Sequence, residues 1–576
     1  MQRLVQTGAY ASALSLGQGL LIQCPMNNPA SENEMCELQV GILDLIGQAL
    51  VGLGDYHRAI NYFSQAEQLL TRKAHPDALR RGVVRASPGA YTPTSTPSSG
   101  TRGSGNSSAA TIAAWLETEE AGKVFEICFS ICKAYLKLRN ERQALVAVER
   151  IPDKKRTPQV HLCIAQLYQH LGSTRAATQS YKLAWTANPF ALEAAHGLVE
   201  LGVSVEEIFD MTEGALASVA PWLRHMVEAY SYEWNHRPKR GLEALEKLGP
   251  AFDGNSACLV AKGRLLAMSK NVEEAAELFS RAHALDDTSF DGMDIFASVL
   301  YQQKDSVKLN RLTQKMLQMD DTRAEGWTAA AYYSLCKQNF DKALMYVEQA
   351  IESEPTNYNA HCTKGEILML RSKEQQHAHM DAINAFKKAW QVRRGIRACR
   401  GLVVAYLKDG NVSQARGLSR EARTGMPESV DAWIILGKVY AHLGRKGNSR
   451  KENFEKAKRA YKKALSIDPR NVEATYETSD VLISEGLLLL AVETLKASLF
   501  FCNDHVGHTK LAEVYILNKQ YDEAVEACQM ALSMSQHDPT ALHTLERAER
   551  GLRGLDPDGD DEGDEGEGEG NGDDSF

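Results

Sequence analysis

Three stretches of the chain share one arrangement of small, large and helix-ending residues. RAATQSYKLAWTANP places Tyr181, Ala184 and Pro189 four, seven and twelve residues after Ala177; KALMYVEQAIESEP repeats this with Ala343, Val347, Ala350 and Pro355, and KAKRAYKKALSIDP with Ala457, Tyr461, Ala464 and Pro469. Offsets of four and seven return to one face of an α-helix. Proline cannot continue a helix interior, so it marks where each helix stops. A pattern that recurs with its spacing intact is a construction rule, and it constrains the fold more than any other feature.

The residues before the first stretch supply a partner helix. His161, Ile164, Ala165 and Tyr168 form one stripe, and LGSTR breaks it at Gly172. Two antiparallel helices in close approach need small side chains where they cross. Ala165 and Ala177 meet that need, the aromatic residues fill the wider space beside the crossing, and Ala184 admits the next repeat. The small residue opening the second helix recurs at Ala59, Ala144, Ala177, Gly241, Ala275, Ala343, Ala382, Ala415, Ala457, Ala491 and Ala524, with Leu309 in the corresponding place midway between Ala275 and Ala343. The 64 residues between Ala177 and Gly241 leave room for one weaker repeat. GAYASALSL at the N-terminus aligns with GDYHRAINY, setting Tyr10 against Tyr56 and Ala13 against Ala59. That alignment makes a helical hairpin a better reading of the first residues than a signal peptide, whose apolar run Gln, Thr, Gly and Ser would interrupt.

Helical pairs of this kind resemble the tetratricopeptide repeat, and Trp433, Leu436, Gly437, Tyr440, Ala457, Tyr461, Ala464 and Pro469 match its pattern almost fully. The resemblance implies an all-α, right-handed superhelical solenoid of thirteen or fourteen helix–turn–helix repeats with a long concave groove. The sequence divides into N-terminal repeats at 1–70, a Ser/Thr/Pro/Gly-rich loop at 71–118 that lacks apolar period, a repeat array at 119–553 and an acidic tail at 554–576. Loop and tail cannot bury enough apolar surface to offset the entropy of ordering, so both are expected to be disordered.

Two intervals exceed the 34-residue period: Ala343 to Ala382 by five residues and Ala415 to Ala457 by eight. The second excess falls in GRKGNSRKENFEK, which reads as a solvated loop or helix extension, or alternatively as a docking point for an acidic partner.

Residues 556–576 hold eleven of the 74 acidic residues and none of the 65 Lys and Arg, so the body carries 65 − 63 = +2 rather than the −9 of the whole chain. A near-neutral body argues against a nucleic-acid partner. The eleven Cys have irregular spacing and no CxxC, which suits a reducing compartment better than a disulfide framework. No apolar run reaches the 18 or so residues of a membrane span, so no membrane partner is expected.

The motifs of chemistry are absent. There is no GxxxxGK[ST], no HExxH, no GxSxG, and no GxGxxG after a strand pattern. Three clusters invite a metal reading: Cys502 with His505 and His508, His377 with His379, and Cys128 with Cys132. None supplies four ligands at zinc spacing, and packing accounts for Cys132 and His508 at repeat positions. We therefore expect no catalytic, cofactor or metal residues, and no enzyme.

Binding remains. Tetratricopeptide co-chaperones hold a C-terminal carboxylate with Lys and Asn at fixed repeat positions, where this chain has Cys362 and Glu366, or Ile434 and Lys438. Arg393, Arg394, Arg397 and Arg400 cluster in QVRRGIRACRG, as a solvated face or a groove wall for an acidic or C-terminal peptide. Ser87, Thr92 and Thr96 each precede proline, which favours the extended backbone that a proline-directed kinase grips. Each phosphate would add roughly −1.5 to −2 charge beside Arg80, Arg81 and Arg85.

The order of parts, with the stretches AVERIPDKKRTPQVHLCIAQLYQHLGSTRAATQSYK and LDDTSFDGMDIFASVLYQQ, is similar to the subunit 7 family of the anaphase-promoting complex, or cyclosome. The resemblance implies a non-catalytic scaffold within a multisubunit ubiquitin ligase of mitosis. Its partners would be a second copy of itself, bound through the N-terminal repeats, and other tetratricopeptide subunits of that complex. Its place would be the nucleus and cytoplasm, with spindle association. Two rivals are weighed. An enzyme with an appended repeat domain needs an α/β segment for which no stretch remains. A peptide-binding co-chaperone, or an adaptor of another complex, is opposed in the first form by the missing clamp residues.

Overall fold

A computed structural model describes residues 1–23, 32–74, 118–212, 220–371, 378–446, 449–535 and 538–557. Ser87, Thr92, Thr96, His377 and the acidic tail beyond 557 lie outside the described residues. Among the described residues the only regular elements are helices, paired in chain order.

The chain forms two compact units, Met1–Ser231 and Tyr232–Phe576. The division falls inside the helix Pro221–Trp234, a place that the sequence does not mark. In the first unit the pairs are Gln2–Gln6 with Tyr10–Gln23, Glu32–Gly52 with Tyr56–Ala74, Glu119–Lys137 with Glu141–Glu149, Pro158–His170 with Thr174–Ala187, and Leu192–Glu200 with Val205–Asp210. The last is the weak repeat expected between Ala177 and Gly241. Its fully buried Ile208 stands where other second helices carry Ala. Tyr56–Ala74 and Glu119–Lys137 pack directly, so the intervening residues are inserted between adjacent hairpins.

In the second unit, after Pro238–Glu246, the pairs are Ser256–Met268 with Val272–Leu285, Met293–Gln302 with Ser306–Met319, Ala324–Cys336 with Phe340–Ser353, Tyr358–Arg371 with Ala378–Val392, Ile396–Lys408 with Val412–Gly425, Val430–Lys446 with Arg450–Ile467, Val472–Glu485 with Leu488–Phe501, and His505–Leu517 with Tyr521–Met534. A single helix, Pro539–Leu552, follows.

The small residues sit where the repeat requires. Ala59, Ala144, Ala177, Ala275, Leu309, Ala343, Ala382, Ala415, Ala457, Ala491 and Ala524 are all at 0% exposure, and Gly241 is buried with them. The aromatic residues lie against glycines of the partner helix. A Cβ added at Gly47, Gly263, Gly365 or Gly437 would fall 2.2–3.0 Å from the rings of Phe63, Phe279, Phe386 and Tyr461 respectively. The first two ring–glycine separations are sixteen residues, the next twenty-one and twenty-four, and the excesses of five and eight equal the two departures from the period. Both insertions therefore fall between the helices of a pair.

The eight-residue insertion lengthens its hairpin. Val430–Lys446 has 17 residues and Arg450–Ile467 has 18, where most others have 13 or 14. The extension carries its own apolar layer: Phe454 is buried and lies on Gly444, whose added Cβ would meet the ring at 2.5 Å. Burying a phenylalanine stabilises by about 1.5–3 kcal/mol. The insertion is thus a packed helix extension, and its turn at 447–448 lies outside the described residues.

The prolines are explained by the residue before them. Asn188, Glu354 and Asp468 end their helices in extended conformation, φ −143° to −134° and ψ 93° to 95°, with their N–H groups donating to the carbonyls of Ala184, Ala350 and Ala464. A following proline disfavours the helical region for its predecessor and selects this bend. Asp286 and Asp320 adopt the same bend without a proline, so the repeat sets it and proline only reinforces it. The turns inside the hairpins show the period in the backbone. His236, Lys270, Lys304 and Gln338, 34 residues apart, all have φ between 55° and 64°.

Candidate functional site

The four arginines of QVRRGIRACRG do not form one free patch. Arg394 pairs with Glu421 at 2.8 Å on the surface. The Arg393 guanidinium lies 4.3 Å from the centre of the Trp234 ring and 5.8 Å from that of Tyr358. Arg397 forks onto Glu366 at 2.7 and 2.6 Å and also donates to Tyr332 at 2.5 Å and Thr363 at 3.3 Å. Burial opposes its charge, but the Glu366 carboxylate outweighs burial and holds the guanidinium well above its ordinary range. Arg400 pairs with Asp431 and with Glu473, the latter at 3.3 Å.

Arg400 thereby enters a network reaching across the second unit. Glu473 also receives Lys438 at 2.9 Å and Lys270. Lys270 lies 3.6 Å from Asp431, and Lys438 3.2 Å from Glu477. Burial alone would raise the Glu473 carboxyl, but Arg400, Lys270 and Lys438 together hold it down at about 2. Lys270 and Glu473 are 203 residues apart, about six repeats. Three further pairs span similar separations: Arg237 with Glu428 at 3.1 Å, Arg240 with Glu428 at 3.7 Å, and Lys239 with Asp468 at 3.0 Å. Hairpins six repeats apart thus meet through opposite charges. No local sequence signal announces this meeting, because every partner of Glu473 except Lys438 lies two or more repeats away.

The co-chaperone positions serve the same internal purpose. Glu366 is the Arg397 partner, Lys438 is held by Glu473 and Glu477, and Cys362 and Ile434 are fully buried. The candidate metal clusters are likewise engaged. His508 contacts Asn503 at 2.6 Å, His379 contacts Asp409 at 3.2 Å, and His505 lies 3.9 Å from Asp538. The Cys128 thiol points to Glu67 at 3.8 Å, while Cys132 faces Cys163 at 3.7 Å. Among the described residues no three His, Cys, Asp or Glu side chains gather as a metal site, and no helix is long and apolar enough to cross a membrane.

Apolar exposure concentrates on Leu488–Phe501. Leu489 is 71% and Phe500 85% exposed, with Leu490 and Phe501 beside them. In the first unit Leu16, Leu38 and Leu53 are exposed. Contiguous exposed apolar residues mark interaction surfaces more often than scattered single ones do.

A family model described as "Tetratricopeptide repeat" matches residues 40–69 and 448–471. With the buried small-residue register, this settles the class. The chain has the fold of a tetratricopeptide-repeat array. It is 29% identical over 569 residues to anaphase-promoting complex subunit 7 of Arabidopsis thaliana, covering 97% of this chain and 95% of that one. Against the subunit of the same name from Dictyostelium discoideum it is 25% identical, with 75% of each chain covered. Among solved structures, a chain of the anaphase-promoting complex hetero-tetramer Cut9–Hcn1 matches at TM-score 0.54 and 16% identity, covering 95% of this chain and 94% of that one. That likeness shows a shared fold.

Proposed function

We propose that this protein is a non-catalytic scaffold subunit of an anaphase-promoting complex, the multisubunit ubiquitin ligase of the cell-division cycle, and that it acts by binding other tetratricopeptide subunits. The single observation that carries this reading is similarity to subunit 7 along 97% of the chain, repeats and connecting segments alike. The structure agrees in kind: ion pairs join separate hairpins, and exposed apolar residues gather on Leu488–Phe501. The co-chaperone reading is not favoured, since the corresponding side chains are buried or internally paired.

We also propose a homodimer through the N-terminal repeats, supported by exposed Leu16, Leu38 and Leu53, a site of action in nucleus and cytoplasm with spindle association, and phosphorylation at Ser87, Thr92 and Thr96. The scaffold reading is tested by mixing the purified chain with the tetratricopeptide subunits of its own organism's complex and following co-elution in size exclusion. Co-elution with at least one is expected; separate elution from all of them would overturn it. Removal of residues 1–70 should convert a dimer to a monomer by light scattering, and a deletion that stays dimeric would defeat the dimer proposal.

A further inference from the structure

The first helices of two successive hairpins, Glu119–Lys137 and Pro158–His170, bring two thiols face to face. Cys132 and Cys163 have their sulfurs 3.7 Å apart. Cys132 is fully buried, at the small-residue place that Ala165 fills in the next repeat, whereas Cys163 is only partly buried. Packing needs a small residue at Cys132, which alanine would satisfy. It does not need a second thiol opposite. Closing the pair to a bond of about 2.05 Å requires the sulfurs to approach by about 1.7 Å.

The two thiols are unequal. The contact with the Cys132 thiol, and then the nearby Lys133 ammonium, holds the Cys163 thiol below its ordinary range although burial works the other way. Cys132 is pushed up, by its hydrogen bond to Cys163 and then by burial. Their exposure divides the roles as a redox pair needs: the partly buried Cys163 is the sulfur a peroxide can reach, and the buried Cys132 is the one that resolves.

We propose that Cys132 and Cys163 are a redox pair that closes to a disulfide when the protein meets a peroxide, stapling two neighbouring hairpins of the first unit. The Cys163 thiolate attacks a peroxide oxygen, the O–O bond breaks, and hydroxide leaves and takes a proton to become water, giving a sulfenic acid. The Cys132 sulfur then attacks that sulfur; the S–O bond breaks, the Cys132 proton accompanies the departing hydroxide as a second water, and the S–S bond forms. Two electrons pass from the thiols to the peroxide, and a dithiol reductant reverses the change.

The full-length chain is treated with hydrogen peroxide, blocked with iodoacetamide, digested without reduction and analysed by mass spectrometry. The expected product joins the Cys132 and Cys163 peptides, has lost two hydrogens and disappears on reduction. Cys132→Ala keeps the packing that Ala165 shows to suffice, and should halt at a Cys163 sulfenic acid trapped by dimedone. Cys163→Ser should leave Cys132 as a free thiol. The proposal is overturned if both thiols are recovered alkylated after peroxide, if Cys163 advances to sulfinic acid while Cys132 stays reduced, or if either pairs mainly with another cysteine. If a variant does not fold, the cross-link in the natural chain decides alone.

Discussion

Replacing Gly437 by alanine tests the helix crossing at its tightest point. The new methyl would stand 2.2 Å from Cε1 and 2.6 Å from Cζ of Tyr461. Ordinary carbon contacts begin near 3.5 Å, so the ring must retreat by more than 1 Å. Tyr461 has nowhere to go: it is fully buried among Phe454, Ala457, Ala464 and Ala474. Overpacking of this kind costs about 1–3 kcal/mol. Against it stands the gain from removing glycine from a helix interior, up to about 1 kcal/mol. The balance is a loss of about 1–2 kcal/mol. Gly417 supplies the control, since it is also inside a helix but an added Cβ meets nothing within 4 Å. There only the gain survives, so Gly417→Ala should stabilise by about 0.5–1 kcal/mol. Urea unfolding followed by helical circular dichroism should move in opposite directions for the two variants. A Gly437→Ala chain as stable as the natural one would refute the assigned crossing.

Three further outcomes are expected. Arg397→Lys loses the fork onto Glu366 and leaves that partly exposed carboxylate half-paired; a loss of about 1 kcal/mol in urea unfolding is expected, and an unchanged midpoint would deny Arg397 its structural role. Glu473 has a folded-state carboxyl depressed from 4.5 to about 2, so its contribution is present above pH 4.5 and is lost as pH falls towards 2. Glu473→Gln should therefore be less stable than the natural chain at pH 7, with the difference shrinking between pH 4.5 and 2; a gap that is constant with pH would contradict the network. Lys304→Gly removes a side chain from a left-handed turn position with φ 59° and should stabilise by about 1 kcal/mol, whereas destabilisation would show that Lys304 makes an unrecognised contact.

The repeat was legible because its constraints are local and periodic. Ala457 and Tyr461 announce a crossing one helix away, and every second-helix position so assigned is buried. The insertions were legible as surplus length, but their form was not: a polar, basic stretch concealed Phe454, whose partner Gly444 becomes informative only once both helices are extended. The charge network was illegible for another reason. Lys270 meets Glu473 across 203 residues because stacked hairpins accumulate rotation, and that sum is not written in any window of sequence. Arg397 and Arg400 looked like a surface feature, since nothing nearby in the chain foretells Glu366 or Glu473 as partners. Cys163 carries no signal of its own in the sequence, because its partner, Cys132, lies one repeat away at a position that packing alone explains.

The most direct test of the scaffold reading is to tag the chain at its own chromosomal locus, purify it under a high-salt wash and identify what remains bound. Recovery of the anaphase-promoting complex with its other tetratricopeptide subunits in stoichiometric amount is the expected result; recovery of the chain alone, or with chaperones in place of that complex, would contradict it.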